Sequence, residues 1–107
     1  SKKIDINAKQ LKGGFKRSPL HIAVLQNQKE IANYLISLGA EIDSTDANGN
    51  TILSTAVMWW DRIDDDYFVK TLIEKGANIN QENNHGRSPK MSALENDGNE
   101  EIHKYFI

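Results

Sequence analysis

The chain repeats its own sequence, and this periodicity restricts the fold more than any other feature. Residues 18–23 read SPLHIA; a related segment follows 33 residues later as TILSTA at 51–56, and another a further 37 residues on as SPKMSA at 88–93. A period of about 20 to 50 residues is typical of solenoids, in which each unit buries its apolar side only against its neighbours. The sequence therefore predicts a stack of similar units.

A second marker recurs in the same order. Residues 35–43 read LISLGAEID, residues 72–80 read LIEKGANIN, and residues 4–7, IDIN, form a third, partial copy. Gly39 and Gly76 follow the last apolar residue of a periodic segment and suit the left-handed conformation that ends a helix. Each unit is thus predicted to contain two helices followed by a loop.

The helix starts and apolar faces agree with this interpretation. Ser18, Thr51 and Ser88 are favoured N-cap residues, and Pro19 and Pro89 follow at a position where no backbone N–H is needed. In the second helices, apolar residues recur three, four or seven positions apart, which predicts one apolar stripe per helix facing a neighbouring unit. The stripes comprise Ile31, Leu35, Leu38, Phe68, Leu72, Ile102 and Phe106.

Three recurring features together resemble the ankyrin repeat. They are the six-residue box at 18–23, 51–56 and 88–93, the glycine-containing helix end at 35–43 and 72–80, and the turn clusters DANG at 46–49 and NNHG at 83–86. That family has a TPLHxA box, a second helix ending in LLxxGA and a DxxG turn, and only Ser18 departs from the box in the first copy. The resemblance covers nearly the whole chain. It implies an all-α ankyrin-repeat solenoid of stacked helix-turn-helix units, whose projecting turn tips and first helices form a concave face. The implied single domain, 1–107, divides into an N-terminal partial repeat and long turn at 1–17, repeats at 18–50 and 51–87, and a C-terminal capping repeat at 88–107.

Three departures from the pattern matter. His21 stands where the family forms hydrogen bonds between neighbouring units, whereas Ser54 and Met91 replace it in the later copies. The middle unit carries about four extra residues, which fall between Trp59 and Tyr67. The last unit lacks the Gly-Ala helix ending and is rich in polar residues, as expected of a capping repeat.

The composition fits one globular domain. With 107 residues, of which 38% are hydrophobic and 26% charged, the chain is long enough for a modest core. It contains no Cys, which excludes disulfides and Cys-based zinc sites and favours a cytoplasmic protein. The longest apolar run, Ala56–Trp60, is far shorter than the roughly 20 residues of a membrane-spanning helix, so no membrane partner is expected.

The most informative candidate site lies at the end of the middle first helix, where both tryptophans occur. In the ankyrin register, Met58 and Trp59 match variable positions that point towards the concave face, and Trp60 follows them. Trp and Met are enriched at the centres of protein interfaces, so we interpret these residues as partner-binding. The alternative is that the indole rings fill the core.

An acidic cluster adjoins the aromatic residues. Residues 41–66 carry seven Asp or Glu against Arg62 alone, whereas residues 1–17 carry six Lys or Arg against one Asp. The acidic cluster would steer a basic partner, although a merely solvated insertion explains it equally well. The basic segment is too short and too poor in aromatics to predict nucleic-acid binding. The cluster consists of Asp61, Asp64, Asp65 and Asp66, and the tips and first helices add Leu25, Gln26, Asn48, Asn50, His85 and Arg87 to the predicted partner-binding set.

No catalytic or metal-binding pattern appears. The sequence lacks a nucleophile elbow, a dinucleotide fingerprint, paired zinc histidines and the terminal Glu of a calcium loop, so neither an enzyme nor a cofactor is expected. We predict a non-catalytic protein, monomeric when free, that binds another protein. A narrower hypothesis is a bacterial immunity or antitoxin protein that masks the basic active site of a toxin or enzyme. The alternative is an interaction module of a larger multi-domain protein.

Overall fold

The computed structural model describes residue 7 and residues 16–59, 66–95 and 100–107. Within these residues the chain is helical, and its only β-pairing is an isolated antiparallel bridge between Thr45 and Thr51. The helices follow one another as three pairs, which confirms the predicted all-α architecture. Their bounds are α1 Pro19–Leu25 and α2 Lys29–Ser37, α3 Ile52–Met58 and α4 Tyr67–Glu74, then α5 Pro89–Glu95 and α6 Glu100–His103.

The predicted N-caps are confirmed at all three first helices. The side-chain oxygens of Ser18, Thr51 and Ser88 accept hydrogen bonds from the backbone N–H three residues later, at 3.3, 3.1 and 3.2 Å. Each bond satisfies one of the N–H groups that a helix start leaves without a partner. The repeated box therefore fixes where the first helix of every unit begins.

The second helices of the first two units end in the same way. Gly39 and Gly76 adopt φ angles of +92° and +93°, as the sequence predicts. The N–H of the following alanine, Ala40 or Ala77, donates to the carbonyl oxygen of Leu35 or Leu72 at 3.0 Å in both units. This bond closes the helix and turns the chain into the loop that leads to the next tip.

The core runs through the stack, with α3 at its centre. Helix α1 packs against α2 and α3, α3 packs against α4 and α5, and α5 packs against α6. Every residue from 52 to 57 is buried, because α3 has neighbours on several sides. Apolar burial of this kind is the main stabilising term in folding. The largest buried apolar side chains are Leu20, Val24, Ile52, Leu53, Val57, Phe68, Val69, Leu72, Ile102 and Phe106.

His21 links the first two units. Its Nε2 atom lies 3.2 Å from the Oγ1 atom of Thr55 on α3, and both side chains are buried. The contact joins equivalent helices 34 residues apart in the chain. The histidine of the box thus forms an inter-unit hydrogen bond here, in line with the family resemblance.

The predicted burial of the second-helix stripes is confirmed in the later units and wrong in the first. Phe68, Leu72, Ile102 and Phe106 are buried. By contrast, Ile31 is 50% exposed and Leu38 is 49% exposed, while Leu35 is half-buried. Periodicity identifies the apolar side of a helix, but it does not reveal whether another helix covers that side.

Candidate functional site

The turn tips are built by one repeated hydrogen-bond pattern. In the first described tip, Oδ1 of Asp46 accepts from the backbone N–H groups of Asn48 and Asn50, at 2.9 and 3.0 Å. In the next tip, Oδ1 of Asn83 accepts from the N–H groups of His85 and Arg87, at 2.8 and 3.0 Å. A side chain that accepts hydrogen bonds from two backbone N–H groups of its own turn holds the tip in one conformation.

The two tips also interlock. The N–H of Asn84 donates to the carbonyl oxygen of Asn48 at 2.9 Å, and the Asn84 side-chain amide donates to the carbonyl oxygen of Ala47 at 3.2 Å. Gly49 has a φ of +78°, and a Cβ atom there would lie 2.7 Å from Oδ1 of Asn84, so only glycine fits this close approach. Adjacent tips therefore form one continuous, rigid edge.

The tip residues predicted to bind a partner differ in exposure. Asn48 and His85 are exposed at the tips, and Arg87 is half-buried, with its guanidinium donating to the carboxylate of Glu95. Asn50 is a correction to the predicted surface. Its side chain is buried, and its Oδ1 accepts from the side-chain amide of Asn83 at 2.7 Å. It joins the tips together and offers no free surface to a partner.

The first helices end side by side. Leu25 is the last residue of α1 and Met58 the last residue of α3, and Gln26 and Trp59 follow them as C-caps. Because α1 packs against α3, these equivalent positions are neighbours along the stack. Met58 is 52% exposed and Gln26 is exposed, while Leu25 and Trp59 are half-buried. These four side chains are mainly apolar and none of them is titratable, so the part of the surface that they form is suited to contact rather than to chemistry.

Asp66, the last residue of the acidic cluster, has a partner within the chain. Its carboxylate accepts a hydrogen bond from the hydroxyl of Tyr105 at 2.6 Å. This bond, followed by burial and the negative charges of Asp66 and Glu74, raises the pKa of Tyr105 to about 12. Asp66 therefore ties α4 to the last helix pair. The other predicted residues of this segment, Trp60, Asp61, Asp64 and Asp65, lie outside the described residues.

Three side-chain contacts of the described residues had no marker in the sequence. Glu95 lies on α5 and pairs with Arg87, and Tyr67 on α4 accepts a hydrogen bond from the side-chain amide of Asn33. The ammonium of Lys29 also lies 5.1 Å from the centre of the Tyr67 ring, where a cation–π contact forms. Asn33 and Lys29 lie on α2 and Tyr67 on α4, so a register comparison between units would have been needed to reveal their contacts, whereas Arg87 precedes α5 and pairs with Glu95 at the end of that helix.

The described residues contain no group of three or more His, Cys, Asp or Glu side chains placed to hold a metal ion. Over the same residues, no helix is long and apolar enough to cross a membrane.

Stacked helix pairs with capped first helices, glycine-closed second helices and interlocked tips define a helical-repeat solenoid. The sequence matches the family model described as ankyrin repeats, three copies, over residues 2–65 and 20–107. The chain belongs to the ankyrin-repeat family. Proteins of this family mediate protein–protein interaction and are in general not enzymes.

Curated relatives are ankyrin-repeat proteins of several kinds. The chain is 38% identical over 77 residues, 70% of its length, to the human transient receptor potential cation channel subfamily A member 1. It is 36% identical over 85 residues, 79% of its length, to an ankyrin repeat protein of Borreliella burgdorferi. It is 45% identical over 40 residues, 37% of its length, to NF-kappa-B inhibitor alpha of Gallus gallus. The chain spans only 6%, 19% and 13% of these relatives, respectively.

Proposed function

We propose that this domain binds a partner protein through a surface formed by the ends of its first helices and by its turn tips. The observation that carries the proposal is the exposure of Met58, a large apolar side chain that is 52% in contact with solvent. It lies beside Trp59 and next to the equivalent pair, Leu25 and Gln26, at the end of α1. Among the described residues, the surface consists of Leu25, Gln26, Asn48, Met58, Trp59, His85 and Arg87.

The chemistry of this surface favours a protein ligand. Thioether, indole and alkyl groups gain free energy when an interface removes them from water, and such residues dominate binding energy when they lie at its centre. Arg87, His85 and Asn48 supply polar groups at the edge. Because internal hydrogen bonds already fix the tips, little conformational entropy remains to be lost on binding.

The narrower proposal is an immunity or antitoxin function, in which the domain masks the basic active site of a toxin. Its support is the acidic middle of the sequence, where residues 41–66 carry seven acidic groups against one Arg. Complementary charge increases the association rate and fixes the orientation of a basic partner. In this version Asp61, Asp64 and Asp65 contribute, whereas Asp66 is engaged with Tyr105.

A second candidate function is an interaction module within a larger protein. The observation that favours it is the length of the relatives, of which the chain spans 6% to 19%. In that case the same surface would recruit a partner for activities located elsewhere in the polypeptide.

Capture of the partner tests the surface. The immobilised chain is incubated with a lysate of the cells that produce it, and retained proteins are quantified by mass spectrometry. The test variant is Met58→Ser, and the matched control is Ile107→Ser, which removes another exposed apolar side chain, 90% in solvent, from the end of the chain. We expect retention of the partner to fall at least about tenfold in the test variant alone.

Equal retention by both variants would contradict the proposed surface. Salt separates the two functions, because a basic toxin held by acidic residues should dissociate as the ionic strength rises from about 0.05 M to about 0.5 M. If retention of the partner does not change with salt concentration, the charge-based toxin inhibitor is excluded and the interaction-module function is favoured.

A further inference from the structure

The side of the first helix pair that faces away from α3 carries an open apolar groove. Its volume is about 340 Å³, and it lies between α1 and α2. Half of the large apolar side chains that the described residues expose also belong to this helix and its end, namely Ile31 and Tyr34 on α2 and Leu38 at its C-cap. A concentration of exposed apolar groups on one element indicates a surface that another element covers. The groove is lined by Pro19, Ile22, Ala23, Gln26, Gln28, Ile31 and Leu35.

The same positions of the next unit form an interface. Thr55 lies 33 residues after Ile22, and it faces back towards the first unit, where it contacts His21. The side of α3 and α4 that corresponds to the groove is therefore the side covered by α1 and α2. Pro19, Ile22, Ile31 and Leu35 correspond by register to Ile52, Thr55, Phe68 and Leu72, all four of which are buried.

A hydrogen bond continues the stacking register one unit before α1. Between the first two complete units, Oδ1 of Asp43 accepts from the backbone N–H of Asn78 at 2.9 Å. One unit earlier, Oδ1 of Asn7 accepts from the backbone N–H of Glu41 at 2.8 Å. Asn7 and Asp43 hold the same place in the repeated IxIN and AEID segments. Residue 7 thus occupies the loop position of a preceding repeat.

We propose that the groove is the stacking surface for the helix pair of one further ankyrin repeat, which precedes Ser1 in the same polypeptide. Counting back from Asn7 aligns Ser1 with Ser37, so the helix pair equivalent to residues 18–36 falls immediately before Ser1 in register. The Asn7 contact brings the polypeptide to this side of the stack, which favours a covalently attached repeat over a second copy of the chain. The inference does not depend on the proposed partner-binding surface.

The test extends the full chain by one helix pair. A copy of residues 18–36 is joined directly before Ser1, because these residues already pack against the equivalent face of the following unit. We expect one cooperative thermal transition with a midpoint at least about 5 °C above that of the 107-residue chain. Amide hydrogens of the added helices and of α2 should become protected from exchange.

The matched control is Ile31→Lys in both chains. In the 107-residue chain the side chain is already 50% exposed, so the midpoint should shift by no more than about 2 °C. In the extended chain the same variant should abolish the rise in thermal midpoint, because it places a charge in the interface between the added helices and α2. Leu38→Lys, at the exposed C-cap of α2, should behave in the same way.

Three results would overturn the proposal. The first is an extended chain whose midpoint is unchanged or lower and whose added residues exchange freely. The second is an equal loss from Ile31→Lys in both chains, which would make Ile31 a core residue of the 107-residue chain. The third is a concentration-dependent dimer of the 107-residue chain, seen by sedimentation and dissociated by Ile31→Lys, because a second copy would then cover the groove.

Discussion

At the scale of single residues, the hydrogen bond from Tyr105 to Asp66 joins the last helix pair to the start of α4. It raises the pKa of Tyr105 from its usual 10.0 to about 12. The neutral phenol is therefore favoured in the folded state. The resulting stabilisation is fully present below about pH 10, the pKa of an unfolded tyrosine, and is lost as the pH rises to about 12.

Tyr105→Phe should reveal this contribution. Near neutral pH the variant should lose about 1 kcal/mol of unfolding free energy, the usual net value of a partly exposed hydrogen bond. Above about pH 10 the difference between wild type and variant should shrink, because the phenol of the unfolded wild-type chain ionises before that of the folded chain. Urea unfolding of both proteins at about pH 8 and about pH 11 measures this difference in unfolding free energy. A difference that stays constant would contradict the linkage.

At the scale of elements, the second helices α2 and α4 occupy equivalent places but have different surroundings. Leu72 on α4 is fully buried, whereas its counterpart Leu35 on α2 is half-buried beside the open groove. Truncation of a buried leucine removes apolar burial and leaves a cavity, while truncation of a partly buried leucine leaves a space that water already reaches.

Leu72→Ala should therefore cost about 2 to 5 kcal/mol of unfolding free energy, and Leu35→Ala should cost clearly less, about 1 to 2 kcal/mol. Chemical denaturation of the two variants provides the measurement, and each serves as the control for the other because the substitution and the helix position are the same. Equal losses would mean that the first unit is packed as tightly as the second.

The sequence predicts the helix starts and ends well, because those signals are local. Ser18, Thr51 and Ser88 cap their helices, and Gly39 and Gly76 close theirs, through bonds that span only a few residues. Each requires a particular side chain or the absence of one, so the residue type alone carries the information.

Burial and polar pairing are less predictable, because they depend on neighbours distant in the chain. The exposure of Ile31 depends on what lies beyond the first unit, and the engagement of Asp66 depends on a tyrosine 39 residues away. Similarly, the turn signal at Asn50 is correct, but the burial of its side chain follows from the position of the next tip. For the candidate surface, register identifies the exposed Met58, while the partner it binds is set by details that the fold does not fix.

At the scale of the whole molecule, stability should vary along the stack, because each unit is held only by its immediate neighbours. Helix α3 lies between two helix pairs and has six buried residues, whereas α2 has Ala32 as its only buried residue. Helix α4, the counterpart of α2 in the next unit, buries Phe68, Val69 and Leu72. A helix with so little buried surface opens at a lower free energy than the molecule as a whole unfolds.

Native-state hydrogen exchange should show this gradient in the 107-residue chain, with α3 and α4 exchanging slowest and α2 exchanging faster. The comparison between α2 and α4 is internally controlled, since both are second helices of similar length closed by a glycine with positive φ. Leu72→Ala should speed exchange in α3 and α4 together, because their packing is shared. Uniform protection of all three helices would mean that the stack unfolds as one unit, and the open face of α2 would then have no energetic consequence.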